Sequence, residues 1–204
     1  MNRAVRKTGH GTHRVGHADR RPPRAAGTRQ ARANGRTRPD SGGKVRVEVS
    51  AGGIVYKHSP HGIQIAFILD PFGKWAFAKG HVEKGETVLE GALRETREEM
   101  GLGRLEVKAE LGKIDFWFRD RYRPENRGVL IHKHVHFFLM EAPPHAQGQP
   151  QKKERIRKII WVDLGRALAV SGYKDVRPML MRVKAYFAGK PLPPVSRKHA
   201  PQAR

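Results

Sequence analysis

The large apolar side chains are confined to one part of this chain, and their distribution decides where a hydrophobic core can form. Residues 1–43 contain no Leu, Ile, Phe, Tyr or Trp, and residues 188–204 contain four prolines and a single Leu. Neither segment can bury enough apolar surface to offset the entropy of ordering it, so we expect two disordered tails. Residues 44–187 hold nearly all the large apolar side chains and are expected to fold as one domain.

The chain is strongly basic, with 41 Lys and Arg against 19 Asp and Glu and a formal net charge of +22. The two expected tails carry more than half of this excess. Clustered arginines release counterions from phosphate, which favours non-specific and salt-sensitive contact with nucleic acid. The alternative is that the tails are solvated arms, since no Phe, Tyr or Trp lies among their arginines to stack on bases.

Composition excludes several classes of protein. The chain has no Cys, which excludes a disulfide scaffold, a Cys-ligated zinc site and thiol catalysis. Its longest apolar stretches, such as residues 63–69, are far shorter than the ~20 residues that cross a bilayer. The first residues show no apolar run of signal-peptide length. We therefore expect a soluble, cytoplasmic protein that does not contact membranes.

Hydrophobic spacing predicts strands and helices in mixed order. Residues 87–100 carry apolar side chains at helical spacing, with Thr87 and Glu90 as a capping box and Gly101 as the C-terminal cap. A second main helix is expected to end at Phe187. Without a regular βαβ repeat, this order indicates a mixed sheet covered by helices. Strands are predicted at 45–49, 51–56, 63–69, 75–79, 105–118, 129–140 and 159–162.

Three carboxylates on the predicted helix 87–100 share one face. Glu95, Glu98 and Glu99 stand at positions i, i+3 and i+4. Like charges at this spacing repel each other, so a positive partner is expected. A hard divalent cation such as Mg²⁺ or Mn²⁺ prefers carboxylate oxygen and is one such partner. The alternative is a solvated acidic face without a ligand.

The residues around the three carboxylates support the cation. Arg94 is expected to reach their face poorly and to pair instead with Glu86, which would pin the preceding loop to the helix. Gly80 and Gly85 allow that loop to bend until a backbone carbonyl approaches the ion.

The full spacing of these residues resembles the signature of the Nudix hydrolases. The resemblance covers roughly residues 49–187, and the tails lie outside it. It implies the Nudix fold, an α/β/α sandwich with a mixed β-sheet. It also implies hydrolysis of a pyrophosphate bond in a nucleoside diphosphate linked to another group. Nine fixed positions agree within 23 residues, namely Gly80, Glu86, Arg94, Glu95, Thr96, Glu98, Glu99, Gly101 and Leu102.

The resemblance also implies roles for these residues, which we call the box. Glu86 and Arg94 would form a supporting salt bridge. Hydrolysis of a polyphosphate requires neutralised phosphate oxygens and an activated water, and metal ions supply both. A carboxylate, Glu98 or Glu99, could take the proton of that water. The metal ligands would be the carbonyl of Gly80 and the carboxylates of Glu95, Glu98 and Glu99.

Two segments are similar to the diadenosine tetraphosphate hydrolases within this family. The segment WAFAKGHVEKGE places Lys79 and His81 to meet phosphate, although Ala78 stands where that branch usually has Pro. The strand KHVHFFLME places Lys133 where the branch has a polyphosphate-binding Lys. The alternative for Lys133 is a solvated lysine.

A third segment, SGYKDVRPML, places Tyr173 where that branch stacks an adenine. Phe116 and Trp117 are further candidates for stacking. Packing in the core is the alternative for Tyr173, and it is the expected role of Trp75.

Three histidines, His132, His134 and His136, alternate along one predicted strand and share its face. A metal site that used all three would have to span about 13 Å. We therefore expect an exposed polar face, or a phosphate contact by His134. The basic loop 119–127 is expected to be a solvated hairpin tip, with reception of a long anionic substrate as the alternative.

The general base remains open at this stage. Many Nudix enzymes add an acid just before the late Trp strand, where this chain has QKKERIRKIIW with Glu154 as its one acid. Glu154, Glu141 and the box itself are the alternatives.

The leading functional hypothesis is a Mg²⁺-dependent hydrolase of dinucleoside polyphosphates such as diadenosine tetraphosphate. A MutT-like hydrolase of oxidised nucleoside triphosphates and an ADP-sugar pyrophosphatase are alternatives within the same chemistry. An RNA 5′-pyrophosphohydrolase would use the basic tails. The non-enzyme alternative is a catalytically silent RNA-binding module.

Overall fold

The computed structural model describes residues 45–119, 129–153 and 155–194. The tail 1–43, the last ten residues of the tail 188–204, and nearly all of the loop 119–127 fall outside this part. The strands are β1 (Val45–Ser59), β2 (Gly62–Leu69), β3 (Trp75–Ala76), β4 (Ala78–His81), β5 (Glu106–Arg119), β6 (Leu130–Glu141) and β7 (Ile159–Asp163). The helices are α1 (Val88–Met100), α2 (Ala167–Val170) and α3 (Arg177–Phe187).

The strands form one mixed sheet in the order β3-β2-β1-β6-β5, with β4 paired to β1 and β7 paired to β2. Strand β6 pairs in parallel with β1 from Val45 to Tyr56, and the other pairs are antiparallel. The predicted mixed sheet is therefore confirmed, and so is the predicted hairpin of β5 and β6.

Strand β1 organises the sheet because it pairs with three other strands. The sequence predicts two strands here, but β1 continues without a break through Ser50. Its middle part, Ser50–Gly53, pairs with β4, and its last part, Tyr56–Ser59, pairs with β2. The single strand predicted at 75–79 divides at the buried Phe77 into β3 and β4, since each piece pairs with a different neighbour.

Alternate residues of β1 and β6 build a separate core on each face of the sheet. Phe138 and Met140 lie in the core that contains Ala92 and Met100 of α1. Phe137 and Leu139 lie in the core that contains residues of α3. Period-two alternation sends successive side chains to opposite faces, so one strand supplies both layers. This arrangement confirms the predicted α/β/α sandwich.

Helix α1 ends at Met100, as the sequence predicts, and begins at Val88, one residue after the predicted start, because Thr87 is its N-cap. The hydroxyl of Thr87 accepts the backbone N–H of Glu90, and the carboxylate of Glu90 accepts the backbone N–H of Thr87 at 2.8 Å. Gly101 adopts a φ of 59°, the left-handed conformation that favours Gly at the end of a helix. The predicted capping box and C-terminal cap are confirmed.

In the described part of the chain, none of the helices has the length and apolar character needed to span a bilayer.

Candidate active site on helix α1 and strand β4

Helix α1 lies so close to strand β4 that Glu95 rests directly over Gly80. A Cβ atom added to Gly80 would come within 2.0 Å of the carboxyl carbon of Glu95. Gly80 pairs with Ala51 of β1, which ties this contact to the centre of the sheet. The close approach requires Gly at this position, because any side chain would displace the carboxylate.

Arg94 connects the loop before α1 to the carboxylates of the helix. Its Nε donates to Glu86 Oε1 at 2.6 Å, and one of its terminal nitrogens donates to Glu86 Oε2 at 3.0 Å. The same terminal nitrogen donates to the carbonyl of His81 at 2.9 Å. The predicted pair between Arg94 and Glu86 is therefore present, and it anchors the end of β4 as well.

The expectation that Arg94 reaches the acidic face poorly is wrong. Its second terminal nitrogen lies 2.8 Å from Glu95 Oε1 and 3.5 Å from Glu98 Oε2. The guanidinium is planar and carries five N–H donors, so it can hold Glu86 with one edge and meet the helix carboxylates with another. Arg94 thus supplies part of the positive charge that the crowded carboxylates require.

Glu86 is an acid of the box whose pKa is strongly lowered. Hydrogen bonds from Arg94 and from the backbone N–H of Glu83 lower the pKa of Glu86 to about 2. The same pairing raises the pKa of Arg94 further above its ordinary range, mainly through its hydrogen bonds to Glu86. Glu86 and Arg94 are therefore both charged in the folded protein near neutral pH.

Glu99 and Glu98 differ in exposure and in partners. Glu99 is buried, and its Oε2 accepts the backbone N–H of Lys79 at 2.9 Å. The side chain of Glu98 is 54% exposed and reaches Arg94 only at 3.5 Å. Glu99 is therefore held on β4, while the carboxylate of Glu98 remains free to meet solvent.

The donor set of this site fits a hard divalent cation. Glu95, Glu98 and Glu99 offer carboxylate oxygens, the ligand atoms that Mg²⁺ and Mn²⁺ prefer. The absent Cβ of Gly80 leaves a cradle that brings a helix carboxylate against the backbone of β4.

A second group of charges lies on the opposite face of β1, and sequence reasoning missed its centre. Glu48 is only 8% exposed, and its Oε2 lies 3.8 Å from Lys133 Nζ and 3.9 Å from His81 Nε2. Glu48 pairs with Lys133 in the β1–β6 ladder, and His81 pairs with Ser50. The only indication in the sequence is that the charged Glu48 alternates with the apolar Val47 and Val49. In the structure Val47 is 60% exposed while Glu48 is buried, the reverse of what their polarity predicts. We call Glu48, His81 and Lys133 the charge group.

The predicted substrate residues occupy three different places. Lys79 is exposed on β4 beside the box, and His81 and Lys133 belong to the charge group. Tyr173 instead donates its hydroxyl hydrogen bond to Asp70, and Lys74 Nζ lies 4.9 Å from the centre of its ring. Burial and the bond to Asp70 raise the pKa of Tyr173. Its ring also packs against both cores, as the packing alternative predicts.

Of the other aromatic candidates, Trp117 stacks on His132, with ring centres 3.9 Å apart and planes 9° from parallel. Phe116 and Trp75 pack against the core on the α3 side.

Of the two acids outside the box that are candidates for the general base, the structure describes only Glu141. Glu154 lies outside the described residues. Glu141 pairs with Tyr56, five residues along β1 from the partner of Gly80, which is a separation of about 16 Å. It accepts from Tyr56 and contacts Lys108 Nζ at 2.8 Å, and the hydrogen bond to Lys108 lowers its pKa. Glu141 is therefore too distant and too firmly paired to act at the box.

Comparisons with known proteins agree with this geometry. A family model described as the NUDIX domain matches residues 59–183, which include the whole box. A protein of Mycobacterium tuberculosis named "Putative mutator protein MutT4" is 30% identical over 208 residues, covering 91% of this chain and 80% of the relative.

Solved structures share the fold at lower identity. An Ap4A hydrolase of C. elegans, in a binary complex, has a TM-score of 0.57 and 21% identity over 70% of this chain and 98% of its own. The Nudix hydrolase RenU of M. smegmatis has a TM-score of 0.51 and 17% identity over 72% of this chain and 89% of its own.

Proposed function

This chain belongs to the Nudix family and is a pyrophosphohydrolase, and we propose that its substrate is a dinucleoside polyphosphate such as diadenosine tetraphosphate. The observation that carries the proposal is the charge group. His81 directly follows Gly80 of the box, and strand alternation turns its side chain to the other face of the sheet. There Lys133 lies within 4 Å of the same buried carboxylate as His81, so a long phosphate chain would have to pass from the box around the end of β4 to reach them. A substrate with a long phosphate chain needs hydrogen-bond donors and positive charge beyond the cleavage site, because its own charge extends past the bond that is cut.

Nudix hydrolases generally need a divalent metal, and we propose Mg²⁺, with Mn²⁺ as a substitute, at the box. Glu95, Glu98, Glu99 and the carbonyl of Gly80 would hold it. When bound, such an ion neutralises phosphate oxygens and lowers the pKa of a coordinated water.

The chain's own residues prepare the carboxylates for this task. Arg94 orients Glu95 and Glu98, and Glu86 holds Arg94 in place through hydrogen bonds of 2.6 and 3.0 Å. The backbone of Lys79 fixes one oxygen of Glu99. Fixed orientation lowers the reorganisation that the reaction demands, which is how preorganised sites accelerate polyphosphate hydrolysis.

Between the two candidate proton acceptors of the box, the geometry favours Glu98. Glu99 is buried and already accepts a backbone hydrogen bond, whereas the carboxylate of Glu98 is half-exposed. An accessible carboxylate oxygen can receive the proton of the attacking water without first giving up a structural contact.

The proposed phosphate contacts lie on strands β4 and β6. Lys79, His81 and Lys133 would contact the phosphate chain, and Tyr173 would stack on an adenine with the exposed part of its ring. The hydroxyl of Tyr173 would stay bound to Asp70 during stacking, which would hold the ring plane fixed.

A second candidate is a MutT-like hydrolysis of oxidised nucleoside triphosphates. The observation in its favour is the 30% identity to the M. tuberculosis relative, whose name describes a mutator protein. Such a substrate has a shorter phosphate chain, and its turnover would depend less on Lys133.

The test is hydrolysis by the full-length protein with Mg²⁺ on four substrates: diadenosine tetraphosphate, an oxidised dGTP, ADP-ribose and 5′-triphosphate RNA. We expect diadenosine tetraphosphate to have the highest kcat/KM and to yield ATP and AMP. Glu98→Gln is the inactive control. Preference for the oxidised dGTP would contradict this proposal and support the second candidate.

Lys133→Gln separates the two candidates further. We expect it to raise KM for diadenosine tetraphosphate about tenfold, with a smaller effect on the oxidised dGTP. Lys184→Gln, at an exposed lysine of α3, is the matched control and should leave both substrates unaffected. An equal effect of Lys133→Gln on both substrates would show that the charge group does not distinguish between them.

A further inference from the structure

A cluster of two imidazoles and one carboxylate lies on strands β5 and β6, outside the residues proposed for hydrolysis. Asp115 pairs directly with His134 in the antiparallel ladder, and His132 stands two residues away on the same face. The potential metal-binding atoms of these three side chains all lie within 4.8 Å of one another. The stripe of three histidines seen in the sequence thus contributes two members, and Asp115 of the neighbouring strand takes the place of His136.

Two ring nitrogens of this cluster are buried, and among the described residues they have no hydrogen-bond partner. They are His132 Nε2 and His134 Nδ1. Buried polar atoms are nearly always satisfied in folded proteins, because the hydrogen bonds to water that they lose must be replaced. A pair of such nitrogens beside a carboxylate therefore requires an explanation.

The separation of His132 and Asp115 suits a shared ligand better than a direct hydrogen bond. His132 Nε2 lies 3.6 Å from Asp115 Oδ2, which is too long for a charge-assisted hydrogen bond. Two ligands of a tetrahedral zinc ion, with bonds of about 2.0–2.1 Å, lie about 3.3 Å apart. The observed distance is close to that value.

The ring of His132 is also held in place. Trp117 stacks on it almost in parallel, and the ring centre of His134 lies 4.2 Å away. A stacked ring cannot turn freely, so the unpartnered nitrogen keeps its direction. A fixed imidazole loses little freedom when it binds a ligand.

We propose that Asp115, His132 and His134 form a binding site for a divalent transition-metal ion, with Zn²⁺ as its probe. Imidazole nitrogen suits zinc-like ions, whereas the oxygen-only box suits magnesium-like ions, so the two sites differ in chemical class. Three protein ligands leave one position for water or another small ligand. The ion would bind β5 to β6 through side chains, in addition to the backbone ladder.

This site is separate from the box. His134 lies two strands across from Gly80 and two residues along, which places their Cα atoms about 12 Å apart. Paired ions in two-metal hydrolases lie only about 3.5–4 Å apart. An ion at Asp115, His132 and His134 would therefore not be one member of a catalytic metal pair, and its binding can be measured without an activity assay.

The experiment is a Zn²⁺ titration of the full-length protein against a chromophoric chelator near neutral pH. We expect one tight site in the wild-type protein. Removing a ligand with Asp115→Asn, His132→Gln or His134→Gln should weaken its binding by at least about tenfold. His136→Gln is the matched control, since it changes the third histidine of the same stripe, and it should leave the affinity unchanged.

Two further variants test whether the tight zinc site lies elsewhere in the protein. Glu98→Gln alters the box, and a joint substitution of His10, His13 and His17 by Gln alters the histidines near the N-terminus. We expect both to keep the tight site. Loss of binding in either variant, or unchanged affinity in His134→Gln, would overturn the proposal.

Thermal melting tests the same site even if a variant that lacks a metal ligand is less stable, because the rise in Tm caused by Zn²⁺ is measured within each protein. Zn²⁺ should raise the Tm of the wild-type protein and of His136→Gln, since an ion that binds the folded state stabilises it. It should leave the Tm of a folded His134→Gln unchanged. An equal rise of Tm in all three proteins would contradict the assignment.

Discussion

Glu95 lies directly over Gly80, so closely that a Cβ atom at Gly80 would stand 2.0 Å from its carboxyl carbon. We therefore predict that Gly80→Ala displaces this carboxylate and lowers kcat by about 100-fold, the cost of misplacing a catalytic group by about 1 Å. The protein should still fold, because the displaced atoms are the end of a flexible side chain. The measurement is steady-state hydrolysis with Mg²⁺, together with a circular dichroism spectrum.

Gly103→Ala is the matched control for this substitution. A Cβ atom at Gly103 would meet nothing within 4 Å, and its φ lies outside the left-handed region. We expect wild-type turnover from Gly103→Ala. Wild-type turnover from Gly80→Ala as well would show that the contact with Glu95 has no role in catalysis.

Arg94 is expected to be sensitive even to the conservative change Arg94→Lys. The guanidinium donates to both oxygens of Glu86 and also to Glu95, and a lysine ammonium cannot reproduce this planar geometry. We predict that kcat falls by about 10- to 100-fold, because Glu95 and Glu98 lose their orientation. Arg97→Lys, at an exposed position of the same helix, should be close to wild type. Equal loss in both variants would point to helix stability rather than to orientation.

The sequence could predict those parts of the site that depend on local spacing. The capping box of α1 involves residues three apart, and the glutamates Glu95, Glu98 and Glu99 follow from helical geometry alone. The reach of Arg94 to Glu95 could not be predicted in this way. It depends on where the preceding loop places Glu86, which is a tertiary relationship.

The cluster of Asp115, His132 and His134 shows a second limit of prediction from the sequence. Which residue of β5 faces His134 depends on the register of β5 and β6, and that register shifts at Val107/Ala109 and again at Glu110/Gly112. Each shift changes which side chains share a face. The stripe of histidines is visible in the sequence, but its pairing with Asp115 requires the structure.

The depressed pKa of Glu86 predicts a particular dependence of stability on pH. The folded-state pKa is about 2, below the ordinary value of 4.5, so ionised Glu86 stabilises the fold at pH values above 4.5. That contribution is lost as the pH falls from 4.5 towards 2. We predict that the Tm difference between wild type and Glu86→Gln narrows over this interval, measured by thermal melts at successive pH values.

Glu83→Gln tests whether this effect is specific. Glu83 is exposed and lies 4.0 Å from Arg94, so its removal should leave the pH profile of the Tm close to that of wild type. A constant Tm difference between wild type and Glu86→Gln across the interval would contradict the pairing.

The charge group predicts that Glu48 acts through its neighbours. Glu48→Gln keeps the size of the side chain but removes the charge that faces Lys133 and His81. We predict that KM for diadenosine tetraphosphate rises about tenfold while kcat changes less than about twofold, since only the positions of the Lys133 and His81 side chains are altered. Glu110→Gln, at an exposed acid of β5, is the control and should leave both constants unchanged.

A double-mutant cycle distinguishes positioning from a separate contact. If Glu48 acts by placing Lys133, the combined variant should raise KM by less than the product of the two single effects. Fully independent effects would assign Glu48 a separate role.

The strongly basic N-terminal segment leads to a prediction about partners. Residues 1–43 carry 11 Lys and Arg against two acids, and they precede the residues that the family model matches. We predict that deleting them changes kcat/KM for diadenosine tetraphosphate by less than about twofold but weakens retention of single-stranded RNA in a mobility-shift assay. Retention by the full-length protein should decrease steeply with salt, because released counterions drive it. A shift that survives about 0.5 M salt, or equal retention by both proteins, would contradict electrostatic contact through this segment.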